Sequence, residues 1–338
     1  MSKKISLILF VICTLSFSLA CRRIDDEQPK PEPSKKIDNT EEDPLPSEPS
    51  DTPSEPQSSN YIELNILTQN CWGVPKIAGV YNVTKDQDER FSNIGDVVNG
   101  FDIVNLQETF GENTKIILDK AKYITKTKTD NGSFLSYGAG LTSFSKFPLV
   151  KKDFIKFSQC SGADCFSNKG VLFMRLKVPV IGEIDIYNTH YQAIESKEDL
   201  RVDGNREFGM LLKRNDVGNP TIITGDFNYT NYDATDSTSK AFDDFKKKFN
   251  PIDTFRVKNR QDTGFTSDPS LNEYVDKKDK PQRLDYVFLL PESRGIAGQK
   301  ISYKFEVLES KIVNSQPVNG KFLSDHFGIN TKIRINLN

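Results

Sequence analysis

The sequence predicts an α/β sandwich built as one domain, and three observations predict it. Alternating or apolar runs of β-formers recur from Tyr61 to the C-terminus. Stretches with apolar residues at helical spacing fall between them, the mixture that layered α/β folds require. Most of the apolar runs end in a carboxylate, carboxamide or imidazole, and strand ends that converge on one rim are where open sheets place their sites.

The elements follow in chain order. "YIELNILTQN" (Tyr61 to Asn70) alternates and reads as a strand. "DERFSNIGDVVNG" carries Phe91, Ile94, Val97 and Val98 at helical spacing and stops at Gly100. "FDIVNLQE" (Phe101 to Glu108) is a short buried strand. "GLTSFSKFPLVKKDFIKF" (Gly140 to Phe157) gives two strands about a turn at Lys146 to Pro148. "KGVLFMRLKV" and "EIDIYNTHYQA" form a hairpin through Pro179 to Gly182. A helix over Lys197 to Arg214 leads to "PTIITGDFN" (Pro220 to Asn228), a buried strand. Tyr229 to Pro281 is polar and turn-rich, with one helix over Ser239 to Phe249. "RLDYVFLL" and "LSDHFGINTKIRI" close the chain as strands.

The N-terminus is set apart. Lys3 and Lys4 precede the apolar run "ISLILFVICTLSFSLA" (Ile5 to Ala20), which is short for a membrane span of about 20 residues and fits a leader. Residues 22–60 hold 8 of the 17 prolines, no aromatic residue, and five basic against eleven acidic side chains. Such a segment cannot bury enough apolar surface to fold and reads as a tether. The folded part is therefore 61–338, with a nearly neutral net charge, which argues against a general polyanion binder. Three cysteines remain in it: Cys71, Cys160 and Cys165. Cys71 is expected in the core, and Trp72 reads as core packing with a lipid contact as the alternative.

Asn70, Glu108, His190, Asp226, Asn228, Asp285, Asp325 and His326 are the strand-end residues. The set is rich in oxygen donors, which suits Mg²⁺ or Ca²⁺ and not Zn²⁺, and it contains both histidines of the chain. Taken singly, each has a plainer reading: "GDFN" as a turn, a lone His as a structural residue, "QE" as a helix start. Their number in one chain, and their shared oxygen bias, point to a site.

"LTQNCWGVP", "VNLQETF", "GLTSFSKFPL", "YNTHYQA", "IITGDFN", "RLDYVFL" and "LSDHFGI" occur in the order found in the endonuclease/exonuclease/phosphatase superfamily, and this stretch resembles that superfamily throughout 61–338. Within it the chain looks most like the neutral sphingomyelinases, through "NCWGVP", "THYQA" and "SNKGVLFMRL". The resemblance implies a four-layer α-β-β-α sandwich of the DNase I-like type. It implies a Mg²⁺-dependent phosphodiesterase, with Mn²⁺ or Co²⁺ able to substitute, that cuts sphingomyelin-type lipids to ceramide and a phosphorylated head group. Glu108 and Asn70 would hold the metal, with Asp325 and His326 across the site. Asp226 and Asn228 would orient phosphate and water, Asp285 would fix the tautomer of the base His326, and His190 would protonate the leaving alkoxide. Asp164 and Lys169 would form a switch beside the site. A secreted nuclease of the same superfamily and a binding protein that has lost catalysis are the alternatives. The "RLDY" motif departs from the Cys-Asp-Arg of inositol-polyphosphate phosphatases.

The leader ending in "SLAC" resembles the lipobox of bacterial lipoproteins, which implies acylation at Cys21 and anchorage at the outer membrane or cell surface; an ordinary secretory signal cut nearby is the alternative. The expected partners are a phospholipid substrate and a membrane surface, with no nucleic acid, for a monomeric enzyme. In "CSGADCFSNKG" (Cys160 to Gly170) a disulfide between Cys160 and Cys165 and a pair of free thiols are both open. The stretch is not a P-loop, because its Lys-Gly opens a strand and no G-x-x-x-x-G-K-[ST] precedes a helix. Pro291 to Phe322 lacks Trp, so an aromatic membrane-inserting hairpin is not expected there.

Overall fold

The computed structural model describes residues 60–74, 85–130, 132, 136–236, 238–291 and 302–337. The leader, Cys21 and the tether up to residue 59 lie outside the described residues, as do 292–301 between the last two predicted strands. All the described residues belong to one unit, Pro56–Asn338.

The chain runs β1 (Tyr61–Asn70), α1 (Gln87–Val97), β2 (Ile103–Gln107), α2 (Thr114–Lys120), β3 (Thr125–Lys128), β4 (Thr142–Ser145), β5 (Leu149–Lys156), β6 (Gly170–Val178) and β7 (Gly182–His190). It continues α3 (Glu198–Asn215), β8 (Thr221–Asn231), α4 (Lys240–Phe249), β9 (Ile252–Asp253), α5 (Thr254–Lys258), β10 (Arg283–Leu290), β11 (Tyr303–Val313) and β12 (Gly328–Leu337). Two six-stranded sheets result, ordered β11-β12-β1-β2-β4-β3 and β5-β6-β7-β8-β10-β9.

Period-two alternation sorts the side chains into layers. Leu64 and Ile66 of β1 meet Ile184, Ile186, Ile222, Val287 and Leu289 of the other sheet in an aliphatic core between the sheets. Leu67, Val104 and Leu106 point outward onto Phe91, Ile94 and Ile117 of α1 and α2. On the opposite outer face, Tyr187, Phe227, Tyr286 and Phe288 pack under Phe208 of α3 and Phe242, Phe245 and Phe249 of α4. Burying each such ring contributes roughly 1.5–3 kcal/mol. The layers are helix, sheet, sheet, helix, the four-layer sandwich expected.

The two strands expected about the turn at Lys146 to Pro148 are present; β4 pairs with β2 and β3 while β5 pairs with β6, so the chain changes sheets at that turn. β5 is a mostly exposed edge carrying Lys151 and Lys152, charges that discourage further strand pairing. The last strand begins only at Gly328, not at Leu323. Residues 323–326 stay out of the ladder because side chains take their carbonyls: Arg90 Nη1 donates to Leu323 O (2.8 Å), Asn272 Nδ2 to Ser324 O (2.8 Å) and Gln69 Nε2 to His326 O (2.9 Å).

Candidate active site

The inner faces of the central strands are apolar at one end and polar at the other. β1 passes from Leu64 and Ile66 to Thr68 and Asn70, and β7 from Ile184 and Ile186 to Asn188 and His190. A buried network closes the polar end beneath the site: Gln107 Nε2 donates to Asn188 Oδ1 (2.7 Å), and Ser143 Oγ to Asn105 Oδ1 (2.6 Å). The Gln107–Asn188 bond crosses between the two sheets, and the Ser143–Asn105 bond joins neighbouring strands of one sheet.

Register then brings the candidates level. His190 pairs with Asp226 in the parallel β7–β8 ladder, and Asp226 pairs with Asp285 across β8–β10. From the facing sheet, Asn70 Nδ2 donates to Asp226 Oδ2 (2.9 Å) and to Glu108 Oε1 (3.2 Å). Glu108 (φ 53°), Trp72 (φ 47°) and Asn228 (φ 49°) all hold left-handed backbone, a conformation that costs energy and tends to be kept where side chains must be aimed. Asn228 also anchors the rim, its N–H reaching Asp226 Oδ1 (3.0 Å) and its Nδ2 reaching Tyr191 O (3.2 Å).

His326 reaches the site from the loop before β12. Its Nδ1 lies 2.8 Å from the buried Asp285 Oδ2. Burial opposes charge on this ring, but Asp285, Asp226 and Asp325 outweigh it and hold the imidazole protonated well above its usual range. His190 behaves oppositely: burial, with the neighbouring Lys169, depresses its pKa well below the usual value. Lys169 Nζ lies 2.8 Å from His190 Nε2, 2.8 Å from Tyr191 O and 3.0 Å from Asp164 Oδ1. Asp164 in turn accepts from Gln192 Nε2 (2.6 Å) and Ala193 N (2.7 Å). The Cys160–Cys165 disulfide brackets Asp164, and Lys169 lies against His190 at the site.

Whether this set fits a cation can be tested on its carboxylates. Asp226, Asp285 and His326 bring ligand atoms within 4.8 Å of one another. Their hydrogen-bonding capacity is largely spent, however, on Asn70, on Asn228 and on the His326–Asp285 bond. Glu108 Oε2, like Asp285 Oδ1, is buried with no hydrogen-bond partner among the described residues, and burial, then the Asp325 carboxylate, push the Glu108 pKa up to about 7. An unpartnered carboxylate oxygen facing a second carboxylate fits a hard divalent cation. Asn70 Oδ1 accepts from Trp72 N (2.8 Å) and keeps a second lone pair, while its Nδ2 orients Glu108 and Asp226.

Asp325 and His326 line an open cleft of about 680 Å³. Its rim carries Glu195, Glu273, Asp276 and Asp279, and no Lys or Arg is among its described lining residues. Trp72, read as core packing or a lipid contact, is half-buried there and not in the core: its ring meets Tyr274 at 5.1 Å, and both rings line the cleft. Cys71 is fully buried, as expected. The sequence reading missed Arg90, Gln69, Gln192, Asn272 and Tyr274. Arg90 was signalled by its place on the apolar stripe of α1, four residues before Ile94.

No protein-family model matches the chain. A curated sphingomyelinase of Mycobacterium bovis is 24% identical over 179 residues, 49% of this chain and 34% of that protein. The match thus spans about a third of the length of that relative. The inositol phosphosphingolipids phospholipase C of Schizosaccharomyces pombe is 27% identical over 315 residues, 81% of this chain and 69% of that protein. Among solved structures, a double mutant of beta toxin from Staphylococcus aureus with bound magnesium ions superposes with a TM-score of 0.59 at 21% identity, covering 80% of this chain and 99% of that chain. TDP2 from D. rerio, complexed with a single-strand DNA product, gives 0.62 at 15% identity over 80% of this chain and 98% of that chain. At these identities the structural likenesses establish the fold alone.

Proposed function

We propose that the chain, which is similar to sphingomyelinases and shares the fold of beta toxin, is a divalent-metal-dependent phosphodiesterase of membrane phospholipids. The substrate class is sphingomyelin or a related sphingophospholipid, cut in the phospholipase C sense to ceramide and a phosphorylated head group. The observation that carries this reading is the Asp285–His326 hydrogen bond set in one site with the unpartnered carboxylate oxygen of Glu108. Together they provide a positioned base and a place for a cation.

Glu108, with Asp325, would hold the ion, for which we propose Mg²⁺, with Mn²⁺ or Co²⁺ able to replace it. When bound, it polarises a phosphate oxygen and offsets the carboxylate field that keeps His326 protonated. Asp285 occupies His326 Nδ1, so Nε2 is the nitrogen left to take a proton from water. The water oxygen bonds to phosphorus as the bond to the lipid alkoxide breaks. Asn228 and Asp226 line the path of the attacking water. His190 is neutral in its buried setting, so the hydrogen between it and Lys169 comes from Lys169. The leaving alkoxide therefore draws its proton through His190, with Lys169 as the neighbouring donor.

TDP2 shares the fold, so a nuclease is the second reading. The acidic rim, without a basic lining residue among those described, opposes a polyphosphate strand. Head-group release from a panel of sphingo- and glycerophospholipids, with and without Mg²⁺, tests the proposal. Plasmid cleavage as efficient as lipid turnover would overturn it. We also propose anchorage through an acylated Cys21 at the bacterial outer membrane or cell surface. Labelled palmitate incorporated by the wild-type chain and lost in Cys21→Ser is the expected result.

A further inference from the structure

Arg90 is one of the largest fully buried side chains of the protein, and it lies on a helix, α1, that contributes no strand end to the site. Its guanidinium spends its donors on backbone carbonyls from separate parts of the chain. Nη1 reaches Cys71 O (2.9 Å) and Leu323 O (2.8 Å), Nη2 reaches Trp72 O (2.9 Å), and Nε reaches Lys85 O (2.8 Å). Cys71 and Trp72 directly follow Asn70, while Leu323 lies two residues before Asp325. One side chain thus ties the loop leaving β1 to the loop entering β12.

Both loops bear on the cation position. Trp72 N fixes Asn70 Oδ1, which turns Asn70 Nδ2 onto Glu108. Cys71 N bonds Gln107 O, and Gly73 packs so closely on Glu108 that an added Cβ would stand 2.1 Å from Glu108 O. The other loop holds Asp325, with Gln69 and Asn272 fixing neighbouring carbonyls. Five planar donors on a rigid fork can bridge carbonyls that diverge in this way, whereas a lysine ammonium presents one point of attachment.

We infer that Arg90 is a positioning residue: by clamping Cys71, Trp72 and Leu323 it sets the separation of Glu108 from Asp325, and hence the affinity of the site for a divalent cation. The inference rests on the phosphodiesterase reading of the site, but its test needs no substrate. Mg²⁺ alone is titrated into the full-length protein, and binding is followed by the rise in melting temperature and by the fluorescence of Trp72, the single Trp of the chain. Arg175→Lys serves as control: Arg175 is buried and paired with Asp185, toward the start of β7 and away from His190.

Arg90→Lys is expected to raise the half-saturating Mg²⁺ concentration about 10–100-fold, the usual cost of removing a residue that orients metal ligands. Arg175→Lys is expected to lose stability at an unchanged midpoint. If Arg90→Lys fails to fold, the midpoint is read in Arg90→Gln. A folded Arg90 variant with the wild-type midpoint overturns the inference. So does failure of both Arg90 variants to fold where Arg175→Lys folds, since Arg90 would then serve the core alone. A wild-type protein that binds Mg²⁺ in this Arg90-dependent way but hydrolyses no phospholipid would sink the substrate reading and leave the positioning role intact. A wild-type protein with no Mg²⁺ response overturns both.

Discussion

His326 Nδ1 and Asp285 Oδ2 stand 2.8 Å apart, although the two residues are 41 positions apart and only one of them lies in a strand. Asp285 is fully buried and in register with Asp226, so its position is set by the sheet, and the histidine comes to it. A carboxylate held this way fixes the tautomer of the imidazole opposite it.

Asp285→Asn should therefore lower turnover by about 10²–10⁴-fold while far-UV circular dichroism stays unchanged. The loss belongs in kcat more than KM. Turnover within a few-fold of wild type would mean that the hydrogen bond does not serve the reaction.

Glu108→Gln should abolish the stabilisation that Mg²⁺ gives, yet raise the melting temperature of the metal-free protein. Burial and Asp325 disfavour the Glu108 carboxylate, and a neutral amide escapes that cost. Thermal melts with EDTA and with Mg²⁺ separate the two effects. A variant less stable than wild type in EDTA would contradict the argument.

The metal-free protein should lose stability as pH rises above about 6.5. Glu108 has a raised pKa, so the stability associated with its protonated form fades as pH climbs toward about 7. His326 also has a raised pKa, so its contribution is full below 6.5 and fades as pH passes its folded value. His190 has a depressed pKa and opposes these groups only below 6.5, where its stabilisation is lost as pH falls. Melting temperature against pH in EDTA reads the sign directly, and Mg²⁺ should flatten the fall.

Lys169→Ala should cost turnover about 10–100-fold, in the range seen when orienting partners are removed, with little loss of folding. Asp164 keeps its bonds to Gln192 and Ala193 in the variant, so the turn stays formed, whereas His190 loses its donor. A melting curve beside the kcat measurement decides between a role in the reaction and one in folding.

Red-cell lysis should be weak even in an active preparation. β11 is an edge strand with Lys304, Glu306 and Lys311 exposed, and Pro291 to Phe322 has no Trp. Strong Mg²⁺-dependent haemolysis would show that another surface inserts.

Much of the fold was legible because its strands alternate cleanly and its polar strand ends interrupt apolar runs. β1 was placed to the residue, and the Asp226, Asp285, His190 and His326 cluster is brought together as the strand-end pattern implied. What escaped has physical causes. β3, "TKTK", buries two threonines and shows no apolar face, and α5 spans five residues, too few for a period to appear. Residues 323–326 read as strand because their apolar flanks match one, while the long-range side chains that take their carbonyls leave no local trace. Trp72 looked like core because a lone Trp after a buried strand usually is. Its left-handed backbone, invisible in sequence, turns it to the cleft rim.

β12 lies between β1 and β11, and its pairing of Tyr61 with Asn336 joins residues 275 positions apart in the chain. Closing so long a loop is entropically slow, and little is gained until the strand is seated. Asp325 and His326 sit immediately before that strand, so the half of the site nearest the base exists only once the final strand is inserted. A ribosome-bound chain, or a refolding intermediate with its other strands already paired, carries no assembled catalytic centre. Activity, if the proposed reaction is the right one, should then appear late in refolding, after most secondary structure has formed.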